Sequence, residues 1–460
     1  RKCNYVPNWN LINPLQQDSV PGMRGGHQMC IDCDDGLIYL LGGWNGTAEL
    51  ADFWVYSVAL NSWKRLQSNT KDYNGPDARS CHKITFDSKM KRIYTIGRYL
   101  DYDEKGGPDQ FNSDFYYYCL KEEKWYLISK NTAKDGGPRL VFDHQLCIDS
   151  EDQIIYMFGG KVIALGETNS YSGLYSYNIK DKKWNLLRSD SENNIKGGCT
   201  LKSRIGHAMA LYKPKKLLFI FSGQRNEHYL SDFLVYDIEK DIVLEMAKDT
   251  SRYGGPVPSF TMRVNIDPYT NELFLASGRE HDYVSSQNSM QNSFWTYDII
   301  GKFWNRVYLN KNISSSYWER MKMKEPSPRF AHQVVYDYNE RIHYLFGGNP
   351  GEPTNPYLRL GDFWKLELSK PEASCIKSTL VFLIRKQKFL ELCVTDHMNA
   401  LKYLQQDLAS IVDHNNEESS LMFRKLSKYL CQPPTDDLVE QRTELFDKLL
   451  QFFPKHMKQP

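Results

Sequence analysis

One unit, repeated six times, constrains this 460-residue chain more than any other feature. Its first copy reads His27-Gln28-Met29-Cys30-Ile31-Asp32, then Leu37-Ile38-Tyr39-Leu40-Leu41-Gly42-Gly43, then Asp52-Phe53-Trp54-Val55-Tyr56, then Trp63. The anchors that open the unit are His27, His82, His144, His207, Met262 and His332. A small residue follows each anchor after 15 positions: Gly42, Gly97, Gly159, Ser222, Ser277 and Gly347. The third segment opens at Asp52, Asp114, Gly173, Asp232, Ser293 and Asp362, and 11 residues beyond five of these openings stand Trp63, Trp125, Trp184, Val243 and Trp304. Spacing is fixed inside the unit and variable between units, as core strands joined by free loops require. Each unit holds four short aromatic and β-branched segments bounded by turn residues, which is strand chemistry.

Repeats of this length with four strands apiece predict propeller blades. Glycine suits the crowded inner strands, where backbones approach closely. The sixth unit has Ala373 where a tryptophan is due, while Trp9 stands 18 residues before His27, close to the 19 that separate Trp63 from His82. The N-terminal strand is therefore expected to complete the last blade and seal the open edge. The reading is an all-β six-bladed propeller over residues 5–369, followed by a small all-α domain over 370–460. Composition agrees: every one of the 29 glycines lies at or before Gly361, and every one of the 10 tryptophans at or before Trp364.

The Gly-Gly pairs, the Tyr-bearing strand and the spaced Trp resemble kelch repeats. Further words are similar to the muskelin family: Pro21-Gly22-Met23-Arg24-Gly25-Gly26-His27, Leu40-Leu41-Gly42-Gly43-Trp44-Asn45-Gly46-Thr47, Gly137-Pro138-Arg139-Leu140-Val141-Phe142-Asp143-His144 and Tyr344-Leu345-Phe346-Gly347-Gly348-Asn349. Ala400-Leu401-Lys402-Tyr403-Leu404-Gln405 and Leu445-Phe446-Asp447 extend the likeness toward the C-terminus. The resemblance implies a scaffold or substrate-recruiting subunit of a CTLH/GID-type E3 ubiquitin ligase. Its expected partners are sister CTLH subunits and a client protein. Muskelin-like chains carry discoidin-like, LisH and CTLH segments before the repeats. This chain opens at Arg1-Lys2-Cys3 with neither an initiator Met nor an apolar leader, which reads as an internal cut or a processed start.

Beyond Lys370 the pattern changes to helical spacing. Leu401, Leu404, Leu408 and Ile411 form one stripe behind Asp396, an N-cap candidate. Leu421, Phe423, Leu426 and Leu430 form a second, stopped by Pro433-Pro434; Leu438, Leu445, Leu449 and Phe452 form a third, and residues 374–392 supply one more apolar helix. Such helices either close on themselves as a bundle or offer Leu401, Leu404, Leu408, Leu445, Leu449 and Phe452 to a partner. The second reading includes self-association and, by the resemblance, docking to CTLH proteins.

The chain carries no Walker loop, G-x-S-x-G, H-E-x-x-H or G-x-G-x-x-G signature, so no catalytic residue, metal or cofactor is expected. Cys30-Ile31-Asp32-Cys33 lacks the second pair that zinc demands. The anchor histidines sit on separate blades and read as structural. A copper radical oxidase, which some kelch propellers are, would need a Tyr–Cys cluster that the sequence does not bring together. The modest, unpatterned cysteine content points to a reducing compartment, cytoplasmic with access to the nucleus. A net charge of +2 argues against generic nucleic-acid or membrane-surface binding, and no run of 18 apolar residues exists to cross a bilayer.

Arginines supply the candidate site. Arg24, Arg79, Arg204 and Arg329 precede their anchors by three residues; Arg98, Arg225 and Arg279 follow just after the small-residue position. The start of one strand and the end of the next share one end of a hairpin, so all seven crowd one rim, with Arg139 near them and Trp44 as an apolar anchor. Guanidinium forks suit acidic peptides. Asp52, Asp114, Asp232 and Asp362 open third strands at the same end, so internal neutralisation competes with ligand binding. The excursion from Asn305 to Pro328, with Lys311, Arg320, Lys322 and Lys324, reads as a solvated loop. The leading function is a non-catalytic interaction subunit; a cytoskeleton- or adhesion-linked kelch adaptor without a ligase role is the alternative.

Overall fold

The structure, a computed structural model, describes residues 5–450 apart from 14–19, 102–106, 168, 191–198, 277, 283–286, 313, 370–372, 413–416 and 435–436. Ser277 and Phe452 lie outside the described residues. The chain divides into two compact units, Pro7–Leu368 and a second one running from Ser369 together with the residues up to Val6.

The first unit is the six-bladed propeller that the repeat predicts. Each blade is a four-stranded antiparallel sheet in up-and-down order. Blade 1, for instance, runs Gln28–Asp32, Leu37–Trp44, Glu49–Ser57 and Ser62–Gln67. The inner strands Lys83–Asp87, Gln145–Asp149, Ala208–Tyr212, Arg263–Asp267 and Gln333–Asp337 begin blades 2 to 6. In blade 6 the order is Val6–Leu11, Leu360–Ser369, Ile342–Gly348, Gln333–Asp337, so the outermost strand comes from the other end of the chain. Trp9 meets Trp364 and Tyr308 edge-on, each at 6.4 Å between ring centroids.

Blades are joined by aromatic packing. Each outer-strand Trp packs against the preceding blade: Trp125 on Phe53 at 5.5 Å, Trp184 on Phe115 at 5.5 Å and Trp304 on Phe233 at 5.3 Å. Blade 4 has Val243 in the Trp position, buried among Tyr156, Phe158 and Leu174 of blade 3. Burying such rings supplies most of the cohesion between sheets that share no backbone ladder. Near the axis the anchor histidines are spacers. The Cε1 atoms of His82, His144, His207 and His27 lie against Gly42, Gly97, Gly159 and Gly347 of the preceding blade. At Gly97, whose φ is +80°, a Cβ would stand 2.5 Å from His144 Cε1 and 2.6 Å from the Val141 carbonyl oxygen. No side chain fits there.

The second unit is helical: Ala373–Thr395, His397–Tyr403, Glu417–Leu426, Lys428–Cys431 and Leu438–Leu450. Asp396 caps the second helix, its Oδ1 accepting from Asn399 N at 3.1 Å. Phe389, Cys393, Ala400, Leu404, Leu408 and Leu426 form its core. That corrects two of the partner-helix candidates. Leu404 and Leu408 are consumed inside the bundle, while Leu401 is exposed and Leu445 and Leu449 are half-buried.

Candidate protein-interaction face

Four of the seven rim arginines are clamps, not binding groups. Arg79 Nη1 and Nη2 donate to both oxygens of Asp114 at 3.1 and 2.7 Å, Nη1 also reaches Gly97 O, and Nε donates to Asp77 O. Arg24 repeats this pattern with Asp52, Gly42 O and Gly22 O, Arg204 with Asp232, Ser222 O and Lys202 O, and Arg329 with Asp362, Gly347 O and Ser327 O. Their exposures are 0–3%, so every guanidinium face is spent inside its own blade. Each clamp ties the start of the inner strand to the end of the second and the opening of the third. Burial alone would raise the Asp114 and Asp362 carboxyls, but the Arg79 and Arg329 charges outweigh it and hold both below the usual carboxylate range. The expectation that these four face a ligand fails because bidentate pairing at the strand ends is stronger than exposure.

Blades 3 and 5 lack the clamp. Val141 and Gly173 occupy the two positions in blade 3. In blade 5 they are Ser259 and Ser293, and the Ser293 hydroxyl donates instead to buried Glu280 at 3.2 Å. Burial pushes the Glu280 carboxyl up to about 7.

The other candidates differ. Arg225 is paired with Asp190 at 2.8 and 3.0 Å and lies over the Tyr171 ring. Arg98 donates to Gln110 O and stands 3.4 Å from Asp114. Arg139 is held by Glu167 and Ser170. Arg279 lies 5.9 Å from the Phe330 ring centre, half-buried, with no described carboxylate paired to it. Trp44 does stand at the rim, bridged to Gly25 through their backbones. It forms a cluster that the sequence reading missed. The Arg359 guanidinium lies 4.5 Å from the Trp44 ring centre, Tyr357 packs on the same ring at 6.3 Å, and Tyr357 and Met23 are 64% and 51% exposed. Arg359 Nη1 donates to Pro356 O and Leu358 O, and no described carboxylate pairs it. Arg359 lies outside the fixed spacing of the repeat, in the segment joining the second and third strands of blade 6. Only its pairing with a Trp at the same end could have marked it.

The excursion after Asn305 is structured, not a free loop: the strand Phe303–Asn310 is followed by a helix, Ser315–Met321, and Glu325 accepts from Asn292 and Asn310.

Just inside the rim a hydrogen-bonded circle closes around the axis. Cys81 N donates to Gly26 O at 2.8 Å, Asp143 N to Cys81 O at 3.0 Å, Gly206 N to Asp143 O at 3.0 Å, Thr261 N to Gly206 O at 2.8 Å, and Gly26 N to Ala331 O at 2.9 Å. Ala331 N donates to Thr261 Oγ1 at 2.9 Å and completes the six. Each member precedes an anchor and has a left-handed backbone, with φ between 53° and 64°. Four of them are not glycine, and Thr261 is β-branched, so the circle is held against a conformational cost of about 1 kcal/mol or more per such residue. Below it the axial channel holds a cavity of about 360 Å³. Among the described residues no three His, Cys, Asp or Glu side chains converge as metal ligands.

A family model described as the Attractin/LZTR1 β-propeller matches residues 6–254 and 105–312. Mei4-dependent protein 6 of Schizosaccharomyces pombe is 29% identical over 94% of this chain and 60% of its own length. Kelch domain-containing protein 10 of Mus musculus is 26% identical over 65% of this chain and 60% of its own. Kelch repeat-containing protein 2 of Saccharomyces cerevisiae is 20% identical over 72% of this chain and 40% of its own. The chain thus spans about 60% of the length of the first two relatives.

Proposed function

Because this chain belongs to the Attractin/LZTR1 family of kelch-type β-propellers, we propose that it is a non-catalytic interaction subunit whose rim captures an acidic segment of a client protein. The observation that carries the reading is the Trp44–Tyr357–Arg359 cluster. It couples an exposed aromatic surface to a guanidinium with no acid paired to it among the described residues, the pairing found at interface hot spots. Arg279 on Phe330 repeats the motif at the same end of the neighbouring blade. The buried clamps of Arg24, Arg79, Arg204 and Arg329 serve this face as its frame.

The assembly is a CTLH/GID-type E3 ubiquitin ligase, in which this chain acts as scaffold or substrate recruiter and other subunits transfer ubiquitin. That part rests on the muskelin-like words of the sequence and on a helical unit with exposed Leu401, Leu421 and Phe446. Its compartment is the cytoplasm and nucleus. The experiment is affinity purification of the tagged chain from its own cells, with wild type, Arg359→Ala/Trp44→Ala and Arg139→Ala compared by quantitative mass spectrometry. RING-bearing subunits should co-purify with all three chains, and acidic clients should be depleted only from the double variant. Recovery of cytoskeletal proteins without any ligase subunit would instead establish the adaptor alternative.

A further inference from the structure

The six residues that open the inner strands are Gln28, Lys83, Gln145, Ala208, Arg263 and Gln333, and all six line the axial cavity of about 360 Å³. Two are cations in an otherwise uncharged girdle. Lys83 belongs to blade 2 and Arg263 to blade 5, opposite each other across a six-bladed ring. They are 7% and 8% exposed. Arg263 is anchored by Nε, which donates to His332 O at 2.6 Å. Neither its two Nη groups nor Lys83 Nζ has a hydrogen-bond partner among the described residues, and Gln333 Nε2, from the lining of the same cavity, is buried and likewise unpartnered among them. The carboxyl that senses both charges is Asp143, from the hydrogen-bonded circle. It forms no ion pair with either, and burial raises it toward its protonated form despite the two cations. Burial and the Arg263 charge push Lys83 down to about 7, and burial pushes Arg263 down to about 10.

Two desolvated cations facing less than one full counter-charge are costly unless an anion joins them. The chain spends its other buried arginines differently: each clamp has its own aspartate. We propose that the axial channel is an oxyanion site. A small tetrahedral anion of the phosphate or sulfate class bridges Lys83 Nζ and the Arg263 guanidinium, with the Gln333 amide as a further donor. The guanidinium presents a fork that matches two oxygens of such an ion, and the ammonium takes a third. The cavity has room for the ion and several waters, each needing about 30 Å³. The site is separate from the Trp44–Arg359 cluster and does not depend on client binding.

The test is isothermal titration calorimetry of the whole chain with inorganic phosphate at pH 6.5, against chloride at matched ionic strength. One phosphate per chain is expected. Lys83→Met and Arg263→Gln should each weaken it about tenfold to hundredfold, the range of one charged hydrogen bond. Thermal melts in chloride check folding, and Lys83→Met should melt no lower than wild type because it removes an uncompensated buried charge. Its phosphate-dependent rise in melting temperature should vanish. Absence of phosphate binding in the wild type, binding in both variants as tight as in the wild type, or an equal response to chloride would overturn the site.

Discussion

Arg79→Ala distinguishes a framing arginine from a binding one. The substitution removes four hydrogen bonds, two to Asp114 and one each to Gly97 O and Asp77 O. It leaves a carboxylate with 14% side-chain exposure and no full counter-ion, since Arg98 reaches Asp114 only at 3.4 Å. Removing one partner of a buried pair costs ~3–5 kcal/mol, because the surviving charge keeps its desolvation penalty. At an unfolding entropy of about 2.1 cal/mol/K per residue, a propeller of this size loses roughly 1.3 °C per kcal/mol, so the melt should fall by roughly 4–7 °C. Arg139→Ala is the matched control. It removes an equally bidentate contact, to Glu167, but one with 46% and 42% side-chain exposure, and should move the melt by less than about 1 °C. Differential scanning calorimetry of the two variants decides the matter. If Arg79→Ala melts with Arg139→Ala, or loses client capture at an unchanged melting temperature, the clamp argument is wrong and the arginine serves a ligand. Replacing the pair together, Arg79→Met with Asp114→Leu, should recover part of the loss.

Three further outcomes are open to measurement. Gly97→Ala should destabilise the propeller far more than Gly136→Ala in urea titrations: the two share φ near +80°, but only Gly97 faces His144 and the Val141 carbonyl, whereas nothing lies within 4 Å of the Gly136 site. Trp9→Ala should cost about 3 kcal/mol and expose the edge of Leu360–Ser369, seen as concentration-dependent association in size-exclusion chromatography. Lys83 sits at about 7 in the folded chain against ~10.4 unfolded. Between those values the unfolded state binds the extra proton, so wild type should gain stability relative to Lys83→Met as pH rises from about 7 toward 10, by up to about 4 kcal/mol. A parallel pH profile of the two chains would contradict that placement.

The blades were legible because fixed spacing survives any loop length: the anchors, the glycines and the Trp positions each recur without slippage. The arginines were legible as a set at one end but not as buried or exposed. The same residue type serves as a clamp at Arg79, where Asp114 opens the third strand of the same blade, and as a surface group at Arg359, where no acid among the described residues pairs it. Sequence shows who shares an end of a sheet, not which pair closes first. The hydrogen-bonded circle was not legible, since only Gly26 and Gly206 of its six members announce a left-handed backbone. Lys83 and Arg263 did leave a sign: they are charges at the first position of strands whose counterparts begin with Gln or Ala. In the helical unit an apolar stripe marked Leu404 and Leu408 alike with Leu401, yet the bundle takes up the first two and leaves Leu401 facing outward. Periodicity gives the face of a helix without saying how wide its neighbour is.

The sealing of blade 6 sets the order of events during synthesis. Val6–Leu11 leaves the ribosome ahead of the other strands of the propeller, and its partner Leu360–Ser369 follows about 350 residues later. At ~5–20 residues per second the early strand waits roughly 20–70 s. Throughout that time blades 1 to 5 can form from local hairpins, but the circle around the axis lacks Ala331 and cannot close. A nascent chain of this kind therefore presents an unpaired Val6–Leu11 strand and an open arc of blades to the cell. The propeller closes in one late step, when Val6–Leu11 meets Leu360–Ser369.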